Sequence, residues 1–367
     1  MTWRRWVRAV VAMLALLATS AFCQPAPMPV SFAVVTPHRT FAFPRDHAAH
    51  PEFRTEWWYV TGHVATDAGK SLGFQVTFFR TRTGIGDGSP SRFAPTQILF
   101  AHAAIADPAV GKLRHDDRIA REGFGARAAT DRLDLRLENW SMRQVGTQIV
   151  AQLKAKDFAI DLALTPGTPL LQGEAGFSRK GPGANQASYY VSMPQTAIEG
   201  VIEVEGKSEK VRGTAWFDHE WSSEIISDGD SGGASASGWD WLGANLDDGG
   251  ALMAFQMRTK SGGVLWAAGT RVARDGGITR LGQNDVAFTP LRVWQSPRSG
   301  ARWPVAMRAR VGSETFELKP WMDDQELDST RSTGIIYWEG AVDVMQAGQK
   351  RGRGYLELTG YAKAIKF

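Results

Sequence analysis

Alternation of apolar and polar positions with a period of two dominates this chain, and it predicts β-strands. RLDLRLE at 132–138 and FAIDLAL at 158–164 alternate without a break. The same reading gives strands at 56–64 and 71–80, joined by Asp67-Ala68-Gly69-Lys70, where Gly69 can take a positive φ; the pair is a hairpin. Further strands are predicted at 98–106, 189–193, 200–205 and 211–217. Later ones follow at 264–272, 303–311, 315–318, 335–344 and 354–361. Only 118–129 carries a weak helical pattern. Stretches 84–92, 166–183 and 228–238 are loops, the last a slack connection or a lid.

The hairpin pattern returns. At an offset of 181, Trp58 falls on Trp239, Gly62 on Gly243, Asp67 on Asp248, Gly69 on Gly250, Phe74 on Phe255 and Gln75 on Gln256. Six identities in eighteen positions that keep a strand–turn–strand logic predict two related β domains, 24–205 and 206–367. Strands that close each sheet into a barrel would remove its edges.

Composition narrows the class. The 367 residues include 14 Trp and 39 Gly, which lean towards an all-β fold that forms a cavity. The balance is 42 basic against 38 acidic residues, and Arg4, Arg5 and Arg8 account for much of the excess. No Lys/Arg block tracks a phosphate backbone, so nucleic acid is not an expected partner. Those arginines and the apolar run AVVAMLALL read as a signal peptide over 1–23. Cleavage would leave mature Gln24; lipid on Cys23 is the alternative, with Phe22 a poor fit before a lipidated cysteine. The expected location is the periplasm or beyond, with membrane association only if Cys23 is lipidated. Cys23 is the only cysteine, so no disulfide is expected in the mature chain.

The densest chemistry is GTAWFDHEWSSE at 213–224. On a strand, Trp216, Asp218 and Glu220 share one face, and Phe217, His219 and Trp221 the other. Asp218, His219 and Glu220 are the candidate catalytic groups. Trp57, Trp58, Tyr59, Tyr189, Trp216, Trp221, Trp239 and Trp241 are the candidate ligand-binding aromatics. Asp240 points away from Trp239 and Trp241 and reads as structural. Arg54 and Glu56 share a face and suit an ion pair, or a gate to a cavity lined by Trp58 and Phe74. Metal ligation by Asp218, His219, Glu220, His47, His50 and His63 has no HExxH or spaced Cys/His pattern behind it, and no metal is expected. Ser222 and Ser223 lie near His219, but no GxSxG elbow supports a serine nucleophile. No glycine loop leads a strand into a helix, so no nucleotide cofactor is expected.

HPEFRTEWWYVTGHV, SYYVSMP, GTAWFDHEWSSE and GWDWLGANLDDGGALMAFQMR together resemble the AttH-like secreted proteins, which are related to the carotenoid 1,2-hydratases. The resemblance spans nearly the whole mature chain. It implies two tandem lipocalin-like antiparallel β-barrel domains, export to the periplasm or cell envelope, and a gene often encoded alongside an ABC-transporter system, whose components are possible partners. It also implies that Asp218 stands where the hydratases carry the aspartate of a Tyr-x-Asp-x-Asn element. That aspartate protonates an alkene before water adds. Here Trp216 replaces the Tyr and Glu220 the Asn, and a His-x-Trp element of the hydratases falls near 189–191, where neither residue is present. The expected function is an envelope protein that holds an elongated apolar ligand, lipid or isoprenoid, in an aromatic cavity. The alternatives are a cofactor-free hydratase or hydrolase with Asp218 as acid, and an accessory component of a transporter.

Overall fold

The fold is known from a computed structural model, which describes residues 31–91, 93–225 and 235–365. The leader read at 1–23, Cys23 and most of the 228–238 loop lie outside the described residues. Phe32–Phe367 forms one compact unit.

The first thirteen strands in chain order are β1 (Thr55–Thr66), β2 (Ser71–Arg82), β3 (Gln97–Ala106), β4 (Arg114–Arg121), β5 (Ala126–Ala128), β6 (Asp134–Leu137), β7 (Trp140–Val145), β8 (Gln148–Lys154), β9 (Phe158–Thr165), β10 (Leu170–Leu171), β11 (Phe177–Arg179), β12 (Ala187–Val204) and β13 (Lys207–Ser222). They form one sheet in the order 4-3-2-1-13-12-9-8-7-6-5, with β10 and β11 also on β12. The ten that follow are β14 (Gly238–Leu246), β15 (Ala251–Arg258), β16 (Val264–Val272), β17 (Ile278–Leu281), β18 (Val286–Gln295), β19 (Arg302–Val311), β20 (Glu314–Pro320), β21 (Glu326–Ser329), β22 (Ile335–Gln346) and β23 (Gln349–Leu358). They make a second sheet, 17-16-15-14-23-22-20-19-18, with β21 on β22. Every ladder between these strands is antiparallel.

Each sheet curls on itself. In the first, β3 and β4 come against β5 and β6, nearly closing a barrel; in the second, β15 and β16 approach β18. The fold is the all-β, lipocalin-like pair of barrels that the alternation and the resemblance predict. Two details differ. The region 118–129 forms β4 and β5 rather than a helix. And β13 pairs with β1 and β12, so the change of sheet falls between Ser222 and Gly238, beyond the position 205/206 read from sequence.

Both barrel interiors are filled with side chains. Trp58, Phe74, Phe78, Trp140 and Phe217 fill the first, and Leu242, Trp303, Phe316, Trp338 and Leu356 the second. At about 25 cal/mol per Å² of apolar surface, such large rings are worth roughly 2–3 kcal/mol each when fully buried. A third cluster, with Tyr59, Tyr190, Trp216, Trp241, Phe255 and Tyr355, packs the outer faces of the two barrels together. Tyr59 meets Trp241 edge-on at 5.2 Å. A Cβ at Gly243 would clash with the Trp241 ring and lie 3.0 Å from the Trp216 ring, so the packing of these two rings there needs glycine. The irregularity between Met193 and Thr196 in β12 turns Gln195 towards the second sheet, where its backbone N donates to Asn245 Oδ1 at 2.8 Å.

The hairpins β1–β2 and β14–β15 occupy matching places, but not at an offset of 181. Their turns superpose at 180. Thr66 N donates to Lys70 O as Leu246 N donates to Gly250 O, and Gly69 and Gly249 both take positive φ. A slip of one residue moves every side chain to the other face. Trp58 and Phe74 accordingly point into the first barrel, whereas Trp239 and Phe255 point between the barrels.

Candidate functional site

A cavity of about 290 Å³ lies between the two barrels, inside neither. That is the small end of ligand pockets, which run about 300–1,000 Å³. Odd-numbered residues of β1 and β2 form one wall, including Trp57, Tyr59, Gln75 and Phe79. Trp239, Trp241, Phe255 and Met257 of β14 and β15 face them, with Tyr337, Glu339 and Glu357 of β22 and β23.

Asp218 reaches this cavity from β13 and is 3% exposed. Its Oδ1 accepts from Ser192 Oγ at 2.5 Å and from Trp216 Nε1 at 2.7 Å; its Oδ2 accepts from Tyr190 Oη at 2.7 Å. Tyr190 Oη in turn accepts from Trp241 Nε1 at 2.9 Å. Ser192 is held from behind: Thr270 Oγ1 donates to Gln172 Oε1 at 2.6 Å, and Gln172 Nε2 donates to Ser192 Oγ at 2.8 Å. Burial pushes the Asp218 carboxyl up to about 7, against the three hydrogen bonds, which favour the anion. Glu220, two residues on, faces the same cavity, pairs with Lys180 Nζ at 2.8 Å, and accepts from Ser188 Oγ.

The opposite face of β13 behaves differently. His219 Nε2 lies 2.9 Å from Glu56 Oε1, and the His219 ring stacks on Trp58 at 4.7 Å. Glu56 also meets His50 Nδ1 at 2.7 Å and Arg80 Nε at 2.9 Å. Burial would raise its pKa, but Arg80, His50 and the hydrogen bonds from His219 and His50 hold it well below the usual range. Burial lowers His219 to about 4, so its ring is neutral at pH 7. His50, Glu56 and His219 bring ligand atoms within 4.8 Å of one another and could hold a metal ion. The Arg80 guanidinium already supplies the charge that a metal would bring.

Of the candidate residues, Asp218, Glu220, Trp57, Tyr59, Trp239 and Trp241 line the cavity, and Trp216 braces Asp218 from beside it. His219 does not, because alternation turns it to the Glu56 side. Trp58 points into the first barrel and donates to His47 O at 2.9 Å. Tyr189 and Trp221 pack on the far side, with Phe41 and Phe53. Arg54 does not pair with Glu56; its guanidinium lies over Phe32, and Arg80 takes the ion pair. Trp58 and Phe74 line no gate, both being core. Asp240 is structural, though buried: Arg258, Gln256 and Tyr361 all bond to it. Ser222 Oγ donates to Ala187 O and Ser223 Oγ to Ala33 O, both at 2.6 Å.

Sequence reasoning missed Tyr190, Lys180, Glu339, Glu357, His102 and Tyr337. The sequence showed the tyrosine pair but not which of the two faces the site: β12 runs antiparallel to β13 with Tyr190 opposite Glu220 and Ser192 opposite Asp218. That register selects Tyr190 over Tyr189, and Tyr190 supplies the phenol that position 216 lacks.

Two lipocalin-like barrels with an acid-lined cavity between them define the class. The AttH-like family model matches residues 34–361, and the chain belongs to that family. A candidate AttH protein from Nitrosomonas europaea, in a 2.00 Å crystal structure, is 47% identical, with a TM-score of 0.83 over 90% of this chain and 100% of that one. Kievitone hydratase from Nectria haematococca has a TM-score of 0.68 at 13% identity, over 91% and 97% of the two chains. CghA has a TM-score of 0.53 at 14% identity, over 93% and 97%. The last two likenesses are of fold. No curated protein matches the chain in sequence.

Proposed function

We propose that this protein binds a compact apolar molecule between its barrels and adds water to one of its carbon–carbon double bonds. Asp218 is the observation that carries the reading: a carboxyl held to about 7 by burial, facing an aromatic cavity. A carboxyl that stays protonated near neutral pH can give its proton to an alkene carbon. The cation left on the neighbouring carbon is stabilised by ring faces such as Trp57, Trp239 and Trp241. A water oxygen then bonds to that carbon, and its surplus proton returns to the Asp218 carboxylate. The alkene gains one water, and the acid is restored. The cavity volume favours one or two rings or a short isoprenoid over a long polyene. Fold likeness to a protein named a hydratase supports the reaction type. The leader sequence supports export to the periplasm or beyond.

The test is incubation of the mature protein with short isoprenoids and prenylated phenols in ¹⁸O-labelled water, read by mass spectrometry. One labelled oxygen in the product is expected. Asp218→Asn should cut the rate about 100-fold or more while the ligand still binds. Equal turnover by Asp218→Asn removes the acid role, and absence of binding by any such ligand removes the reading.

A further inference from the structure

Three carboxyl groups on the cavity wall have no basic partner among the described residues: Asp218, Glu339 and Glu357. The two basic side chains on that wall are already paired, Lys180 with Glu220 at 2.8 Å and Arg80 with Glu56 at 2.9 Å. His102 is held neutral at pH 7, because burial lowers it to about 4.

Glu339 and Glu357 stand directly opposite each other on β22 and β23. Side chains at such positions have Cβ atoms about 4.5–5.5 Å apart, close enough for two like charges to oppose each other's ionisation. Tyr59 Oη donates to Glu339 Oε1, but Glu339 Oε2 has no hydrogen-bond partner although the residue is 1% exposed. Buried polar atoms are seldom left so. The rings of Trp57, Trp239 and Trp241 line the same cavity, while Lys180 Nζ already lies over the Phe255 ring at 4.1 Å.

Carboxyl groups short of a counter-charge, walled by aromatic faces, supply the two attractions that recognise an organic cation. We propose that the cavity is a receptor for a compact organic monocation, an alkyl- or benzylammonium, with its head against Glu339–Glu357 and its carbon body on the rings. This rests on the preceding reading only in taking the inter-barrel cavity as the ligand site. Binding such a cation ionises a carboxyl and releases its proton. The same charge pattern favours a cation formed beside Asp218 during addition of water, so an ammonium would also act as an inhibitor.

The experiment titrates the mature protein with benzyltrimethylammonium and with neopentylbenzene, its uncharged isostere, by tryptophan fluorescence and calorimetry. At pH 8 the cation should bind about tenfold tighter or more than the isostere. Below pH 7, buffers of different ionisation heat should report release of about one proton. Glu339→Gln and Glu357→Gln should each lose about tenfold in ammonium affinity and keep the isostere, which also shows that they are folded. Binding of the isostere with no preference for the cation overturns this inference and leaves the cavity reading intact. Failure of both to bind overturns the two together.

Discussion

The two faces of β13 carry buried carboxyl chemistry of opposite kinds. On one, Asp218 sits among neutral donors, and burial holds it to about 7. On the other, the partner of His219 is Glu56, at 1% exposure no less buried, yet far more acidic than usual. Burial opposes ionisation in both. What differs is counter-charge: Arg80 and a His50 raised by Glu56 and Asp46 stand against Glu56, and among the described residues no cationic group pairs with Asp218. One carboxylate is a clamp that ties β1, β2 and the 45–50 segment together. The other, Asp218, meets the cavity, which Glu56 also lines, with neutral donors alone.

Breaking the clamp should give the largest effect. Glu56→Gln leaves Arg80, 2% exposed, with a buried charge and no anion. Removing one partner of a buried pair costs about 3–5 kcal/mol. Urea denaturation at pH 7 should show a loss of that order. Because the folded pKa of Glu56 is depressed, its stabilisation is present above the usual glutamate value of 4.5 and lost as pH falls through the lowered one. The variant should therefore lose the acid limb of its stability curve along with its stability. A loss below about 1 kcal/mol would mean that the network is no clamp.

Asp218 has the opposite sign. Its pKa is 3.8 unfolded and about 7 folded, so between those values the folded state holds a proton that the unfolded state has lost. Stability therefore falls as pH rises from about 4 to 7 and levels off above. The drop is at most about 4 kcal/mol, at 1.36 kcal/mol per unit. Asparagine carries no such proton, so Asp218→Asn should flatten that limb and gain on the parent as pH rises. Denaturation midpoints at pH 4.5, 6 and 8 check this. Parallel curves for parent and variant would mean that folded Asp218, like the unfolded residue, has already lost its proton at these pH values, and would end the contrast between the faces.

How much of this was legible in the sequence follows from which features are local. The alternation of Trp216, Asp218 and Glu220 against Phe217, His219 and Trp221 was readable, because period two is a property of one strand. The choice of Tyr190 over Tyr189 was not, since it depends on the register of β12 against β13 beyond the irregularity at Met193–Thr196, which brings together residues 28 apart in sequence. Glu339 and Glu357 reach the cavity only because the outer faces of two barrels meet, and nothing in their own segments marks that. The repeat misled by one residue: identical letters aligned at 181, while the turns and the faces align at 180. The high Trp count pointed to a cavity but not to its place; the barrel interiors are packed, and the open space lies between them.

The smallest predicted effect is the sharpest test of that register. Tyr190→Phe removes the one donor to Asp218 Oδ2 and leaves Ser192 and Trp216 on Oδ1. A hydrogen bond to an ionised group is worth about 1.5–3 kcal/mol, so the Asp218 pKa should rise by about one to two units. Tyr189→Phe is the matched control: its hydroxyl donates to Thr36 O at 3.0 Å on the far side of the sheet, and the Asp218 titration should not move. The carboxyl C=O infrared band, followed against pH and assigned by its loss in Asp218→Asn, reads both variants. Equal shifts for the two tyrosines would show a general loosening of the sheet rather than a donor removed from one face. A shift for Tyr190→Phe alone ties the acidity of Asp218 to the side of β12 that the cavity sees.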